Sequence, residues 1–88
     1  MEETLASKKI EIKIVYNGIS QPLSVQSHEQ VKAVLQRAIH LFGITQNAHL
    51  LSLFRQDGSE LPDHVSVGDA GIQPCEVLAL RPSAVKGG

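Results

Sequence analysis

The chain has 88 residues, of which 42% are hydrophobic and 19% charged, and its formal net charge is −1. This is the length of a single domain, and with one Tyr, two Phe and no basic stripe it offers nucleic acid neither a stacking platform nor a phosphate-binding surface. Residues 1–7 lack the pattern of a secretory signal and no apolar run is long enough to span a membrane, so we expect a soluble, cytoplasmic monomer.

Two strands and a hairpin are predicted at the start of the chain. Residues 9–14 alternate charged and β-branched side chains, which indicates a strand that turns its three isoleucines toward a core. Asn17-Gly18 tolerates the positive φ angles of a two-residue hairpin turn. The second strand runs from residue 19 to 25, and we place it at a sheet edge because Pro22 has no amide hydrogen to donate.

A helix is predicted next. Ser27 with Gln30 three residues later has the pattern of a capping box, so we expect the helix to begin at Ser27. Gly43 followed by Ile44 ends it, because a left-handed glycine closes the last turn and the next apolar side chain packs back. Steps of three and four residues give the helix one apolar stripe, made of Val31, Val34, Leu35, Ala38, Ile39 and Phe42.

The second half of the chain predicts further strands. Residues 50–54 indicate a buried strand, with either alternate set facing inward, and Asp57-Gly58 marks the turn that follows. Leu61 lies in a brief strand or bend, and residues 75–80 form the last strand, where we expect Cys75 to pack in the core. One helix across one mixed sheet, in the order ββαββ(β), is an α+β arrangement.

This order, together with several local strings, resembles ubiquitin and its relatives. Residues 31–36 resemble the start of the family's helix, Gly43-Ile44 the pair that follows it, and residues 57–72 its turn, short strand and loop. Gly87-Gly88 coincides with the family's mature end. The resemblance implies a β-grasp fold whose first and last strands are parallel neighbours at the sheet centre, with residues 1–8 as a leader, 9–81 as the domain and 82–88 as a tail.

The resemblance also implies function at the carboxyl end. The Gly88 carboxylate, preceded by Gly87, would be adenylated, passed on as a thioester or an ester and conjugated to a target protein. The chain is therefore not expected to be an enzyme or to hold a cofactor, and its partner uses the ATP. The implied partners are an activating enzyme, a conjugating enzyme, a deconjugating protease and the covalent target. The activating enzyme would recognise Arg81, Val85 and Lys86, which replace the paired arginines of the ubiquitin tail.

A second surface is implied on the exposed face of the sheet. The centre of ubiquitin's apolar receptor-binding patch falls at or near Arg55 in this sequence, so a sheet-face surface is expected from Arg55, Gln56 and Leu80. Because a charged residue stands there and the tail lacks the paired arginines, the chain is expected to be a distinct member with its own enzymes. By analogy, it would come from a bacterial antiviral-defence operon that encodes ubiquitin-like proteins.

Two other functions stay open. A sulfur carrier shares the β-grasp fold and the Gly-Gly end but holds a C-terminal thiocarboxylate, and a docking domain would bind partners without any covalent step. A metal site is not expected, since four unpaired histidines and a single cysteine do not match the spacing of metal ligands.

Overall fold

A computed structural model describes residues 9–83 as one mixed sheet crossed by one main helix. The strands lie in the order β2-β1-β4-β3, with β1 parallel to β4 and the other neighbours antiparallel. This arrangement confirms the α+β class and the central pair formed by the first and last strands. In chain order the elements are β1 (Lys9–Tyr16), β2 (Ile19–Gln26), α1 (Val31–Leu41), a 3₁₀ turn (Ala48–Leu50), β3 (Leu51–Phe54) and β4 (Val77–Pro82).

The β1–β2 hairpin forms at the predicted turn. Asn17 and Gly18 have φ angles of 53° and 77°, the conformation of the two-residue turns whose twist matches that of the flanking strands. Beyond the turn, β1 and β2 pair over all eight residues of each strand. Pro22 lies on β2 at the sheet edge, as its missing amide hydrogen predicts.

The helix begins at Val31, so the expectation that it begins at Ser27 is wrong. Ser27 lies in a turn in which the Gln26 N–H donates to Glu29 Oε1 over 2.8 Å and the Glu29 N–H donates to Gln26 O over 3.0 Å. The Ser27 carbonyl accepts a hydrogen bond from the Gly68 N–H, at 2.9 Å. These bonds give the segment before the helix a fixed structure of its own.

The first amides of α1 are satisfied by a distant part of the chain. The Val31 N–H donates to Val65 O over 2.8 Å, and the Lys32 N–H donates to Asp63 O over 3.1 Å. The N-cap residue makes no side-chain hydrogen bond to the helix. A helix start needs partners for its free N–H groups, and here the partners come from residues that no local sequence pattern points to.

The end of α1 matches the sequence prediction. Gly43 has a φ of 65°, its N–H donates to His40 O, and the Ile44 N–H donates to Ile39 O, both over 3.1 Å. These two bonds form the glycine-terminated motif that the sequence indicated. No helix within residues 9–83 is long and apolar enough to cross a membrane.

The core lies between α1 and one face of the sheet. Ile10, Ile12 and Ile14 are 9%, 1% and 0% exposed, which confirms the predicted facing of β1. Leu51 and Leu53 are the inward residues of β3, which settles the choice left open by the sequence. The other core side chains are aliphatic too: Val25, Val31, Val34, Leu35, Ala38, Ile39, Leu61, Val67, Ile72, Leu78 and Leu80.

The segment that joins β3 to β4, residues 55–76, is called the connection below. Gly58 has a φ of 91° in the predicted turn, and Leu61 is buried with its N–H donating to Leu53 O over 2.8 Å. Cys75 contradicts its prediction, because it is exposed and has a φ of 64°. Its N–H donates to Glu11 O, and the strand begins two residues later, at Val77.

Candidate functional site

The carboxyl end of β4 is fastened to the rest of the domain. Pro82 pairs with Leu51 on β3. Ser83 is only 5% exposed; its N–H donates to Leu50 O over 2.7 Å and its hydroxyl donates to Glu60 Oε2 over 2.6 Å. The folded part therefore extends past the expected boundary at residue 81 and reaches at least Ser83.

Arg81 is the member of the expected tail-recognition group that the structure describes. Its side chain is exposed on β4, and its guanidinium carbon lies 5.5 Å from the centroid of the Phe54 ring, within the range of a cation–π contact. Arg81 thus presents a positive charge where the chain leaves the sheet. The remaining residues expected at the carboxyl end lie outside the described residues: Val85, Lys86, Gly87 and Gly88.

The sheet face opposite the helix carries an apolar strip, defined as Val15, Phe54, Val77 and Ala79. The register brings three strands together here, because Ala79 on β4 pairs with Val15 on β1 and with Phe54 on β3. Val77 precedes Ala79 by two residues and so shares its face. All four side chains are half-buried. The strip is therefore a continuous apolar surface that water still reaches.

The expected sheet-face surface of Arg55, Gln56 and Leu80 is not formed. Leu80 is 2% exposed and belongs to the core. Arg55 follows the last residue of β3, and Gln56 is exposed in the turn beyond it. Since neighbouring strand residues point to opposite faces, a shift of one residue places Phe54, not Arg55, on the outer face.

Arg55 instead holds the connection together. Its Nε donates to Glu76 Oε2 over 2.9 Å and its Nη2 donates to Glu76 Oε1 over 3.2 Å, a two-point ion pair. Nη1 also donates to Ala70 O over 2.7 Å, and Nη2 to Gly71 O over 2.9 Å. We call this group of contacts the Arg55 clamp. It joins the first residue of the connection to its last.

The clamp changes the pKa of both charged partners. The hydrogen bond to Glu76, opposed by burial, raises the pKa of Arg55 above its ordinary value. Burial acts to raise the pKa of Glu76, but hydrogen bonds from Arg55 and from the Gln73 N–H outweigh it, so the pKa of Glu76 lies below its usual range. Both groups therefore stay charged at neutral pH, which keeps the clamp closed.

Sequence reasoning missed Phe54, Glu76 and Glu60. Phe54 could have been found from strand alternation once Leu53 is assigned to the core. Glu76 is 21 residues from Arg55, and Glu60 is 23 residues from Ser83, so no local pattern indicates either contact.

Within residues 9–83, no three His, Cys, Asp or Glu side chains lie close enough together to hold a metal ion. The described residues do present an apolar strip and an anchored strand end.

No family model and no curated protein matches this sequence. Solved structures do match its fold. A protein designed de novo on the basis of ubiquitin aligns with a TM-score of 0.75 and 20% identity, over 91% of this chain and 95% of the design. The solution structure of the ubiquitin-like domain of an Arabidopsis thaliana protein gives 0.73 and 19%, over 97% of this chain and 88% of that domain.

A third similar structure is that of ATBAG1 in complex with HSP70, with a TM-score of 0.73 and 13% identity, over 89% of this chain and 42% of that one. At these identities the similarity establishes the fold. The chain has a ubiquitin-like β-grasp fold, as its strand order and central parallel pair indicated.

Proposed function

We propose that this chain is a ubiquitin-like protein modifier whose Gly88 carboxylate is activated and joined to target proteins by partner enzymes. The observation that supports the proposal is the route of the chain. β4 is a central strand of a ubiquitin-like fold, it ends at Pro82, and the sequence then continues to Gly87-Gly88. Glycine has no Cβ, so such an end fits a narrow channel and leaves its carbonyl open to attack.

The proposed chemistry has three steps. The Gly88 carboxylate attacks the α-phosphorus of ATP, forming an acyl adenylate and releasing pyrophosphate. A partner's thiolate attacks the acyl carbon, forming a thioester and releasing AMP. A target amine then attacks the thioester, loses a proton and expels the thiol, which leaves an amide bond. The chain supplies the acyl group, and its partners supply ATP and every catalytic group.

The apolar strip is the surface on which we expect these partners to dock. Lys13 and Arg81 are exposed on the same face of the sheet, so a partner that places an acidic residue beside an apolar side chain would complement it. We propose that an activating enzyme, a conjugating enzyme and a deconjugating protease use this face in turn, with Arg81, Val85 and Lys86 guiding the carboxyl end.

The cellular location and the biological source of the protein are also proposals. A single cysteine that forms no internal disulfide suits a reducing compartment, so we place the protein in the cytoplasm. The analogy with bacterial defence operons that encode ubiquitin-like proteins remains our suggestion for its source.

A non-covalent docking domain is the second candidate, because one structure with a similar fold over 42% of its matched chain is that of ATBAG1 in complex with HSP70. A docking domain would use the apolar strip and would have no need of Gly87-Gly88. A sulfur carrier would share the adenylation step and then receive sulfur in place of a target amine.

One experiment separates the three functions. The full chain, tagged at its amino end, is expressed in its own host, recovered under denaturing conditions and analysed by mass spectrometry beside a variant lacking Gly87-Gly88. Trypsin cleaves after Lys86, so a modifier predicts target lysines carrying a Gly-Gly remnant that the deletion abolishes. A sulfur carrier instead predicts an intact mass raised by the difference between a sulfur and an oxygen atom. If the parent chain gives neither the Gly-Gly remnants nor the raised mass, the modifier function is contradicted and the docking domain is favoured.

A further inference from the structure

Glu60 and Ser83 form a side-chain hydrogen bond at the base of the carboxyl end. The Ser83 hydroxyl donates to Glu60 Oε2 over 2.6 Å, the length of a hydrogen bond strengthened by a charged acceptor. Ser83 is buried and Glu60 is half-buried, so water competes little for the bond. Such a bond is worth more than one on the open surface.

The surroundings hold Glu60 in position to accept this bond. Glu60 forms a bridge with Phe54 on the free side of β3, and the next residue, Leu61, is buried with its N–H bonded to Leu53 O. The turn before it is closed by the Arg55 N–H, which donates to Ser59 O over 2.9 Å. The carboxylate of Glu60 is thus carried by backbone that is itself fixed to β3.

The ladder between β3 and β4 ends at this point. Pro82 is the last residue of β4 and pairs with Leu51, but the residues of β4 that bond to β3 alternate, so the missing amide hydrogen of Pro82 lies on the side away from β3. The ladder is closed by the next residue, since the Ser83 N–H donates to Leu50 O over 2.7 Å. Both the backbone and the side chain of Ser83 are therefore bonded to the β3 side of the sheet, and Glu60 supplies the side-chain acceptor.

We infer that Glu60 is a positioning residue that fixes, through Ser83, the point from which the carboxyl end extends toward a partner's active site. The inference rests on the proposed function. Five residues follow Ser83 in the sequence, and five residues span at most about 17 Å at about 3.3 Å per residue. Without the anchor, Pro82 and Ser83 join them, the span becomes about 23 Å, and Gly88 loses its fixed origin relative to the docked domain.

The anchor itself is tested by amide hydrogen exchange, measured by NMR on the full chain. Glu60→Ala and Ser83→Ala remove the bond, while Glu60→Gln and Ser83→Thr keep an acceptor and a hydroxyl. We expect the Ser83 amide to exchange about tenfold faster or more in both alanine variants and within about threefold of the parent in the conservative ones. The amide of Lys13, bonded to Glu76 O between β1 and β4, is the reference for global unfolding and should not change.

An unchanged rate at Ser83 in Glu60→Ala would overturn the anchor. An equal acceleration at Ser83 and Lys13 would also overturn it, because the substitution would then weaken the whole domain rather than the base of the carboxyl end.

The positioning role is tested by the yield of Gly-Gly remnants in the host. We expect Glu60→Ala to lower the yield about fivefold or more through misplacement of Gly88, and Glu60→Gln to restore it. Faster exchange with an unchanged yield would overturn the positioning role. Absence of remnants from the parent chain would instead contradict the proposed function, and with it the role of Glu60 in transfer, while the exchange rates would still show whether the anchor exists.

Discussion

The helix-facing core and the connection between β3 and β4 are held together in different ways. The core is an aliphatic layer in which many side chains share the stabilisation, and it includes three residues of the connection: Leu61, Val67 and Ile72. The two ends of the connection are joined by the Arg55 clamp, where one guanidinium binds a carboxylate and two carbonyls. The comparison teaches that burial spreads stability over a pattern, whereas a polar clamp concentrates it in one side chain.

The largest effects are expected in the core. Ile12 and Leu35 are 1% and 3% exposed, so truncating either to Ala should lower the free energy of unfolding by about 2 to 5 kcal/mol. Denaturant midpoints measure this loss. As a control, Lys32→Ala on the exposed face of α1 should change the free energy by less than about 0.5 kcal/mol. A midpoint like that of the parent for both core variants would mean that the facing of β1 or α1 is wrong.

The next effect concerns Arg55. On the sequence alone, an exposed sheet residue at this position predicts that Arg55→Ile changes stability by at most about 0.5 kcal/mol. The clamp revises this expectation: Arg55→Ile should cost about 2 kcal/mol, because it removes the guanidinium that donates to Glu76 and to two carbonyls.

Arg37 provides a matched control for this experiment. It also pairs with a glutamate, Glu29, but its side chain is 45% exposed against 28% for Arg55, so Arg37→Ile should cost about 1 kcal/mol or less. Equal losses for the two arginines, measured by denaturant unfolding, would contradict the clamp.

The loss of stability at low pH should also differ between the parent and Arg55→Ile. The pKa of Glu76 is lowered in the folded chain, so its contribution to stability is complete above the ordinary glutamate value, about 4.5, and is lost as the pH falls through the lower folded value. The parent should therefore lose stability below about pH 4.5 more steeply than Arg55→Ile. Asp57, whose pKa is lowered by hydrogen bonds from the Ser59 hydroxyl and N–H, adds a loss of the same sign in both proteins. Parallel pH profiles would show that the clamp does not stabilise the ionised Glu76.

The smallest effect is expected at Ser52, whose buried hydroxyl has no hydrogen-bond partner within residues 9–83. Because no bond is lost, Ser52→Ala should be neutral or stabilising by up to about 1 kcal/mol. By contrast, Ser83→Ala at the buried serine that follows β4 removes the hydrogen bond to Glu60 and should be destabilising. A clear loss of stability in Ser52→Ala would show that its hydroxyl is paired in solution.

The sequence correctly predicted the features that depend on periodic patterns or on short local motifs. The alternation of β1, the stripe of α1, the Asn17-Gly18 turn and the Gly43 helix end are each set by neighbouring residues, and each is confirmed. The start of α1 was misplaced because its amides bond to Val65 O and Asp63 O. The prediction of a sheet-face surface around Arg55 was wrong for a related reason. Phe54, one residue earlier, occupies the outer face of the sheet, and the carboxylate that binds Arg55 lies 21 residues away in the sequence.

The central claim is that the carboxyl end, and not the folded surface, is the reactive part of this protein. The most direct measurement compares the parent, Gly88→Ala and a variant lacking Gly87-Gly88 for both melting temperature and covalent adducts in the host. The modifier function predicts the same melting temperature in all three, adducts abolished by the deletion and slowed by Gly88→Ala, because a channel fitted to glycine has little space for a Cβ. Adducts that persist in the truncated chain would contradict it.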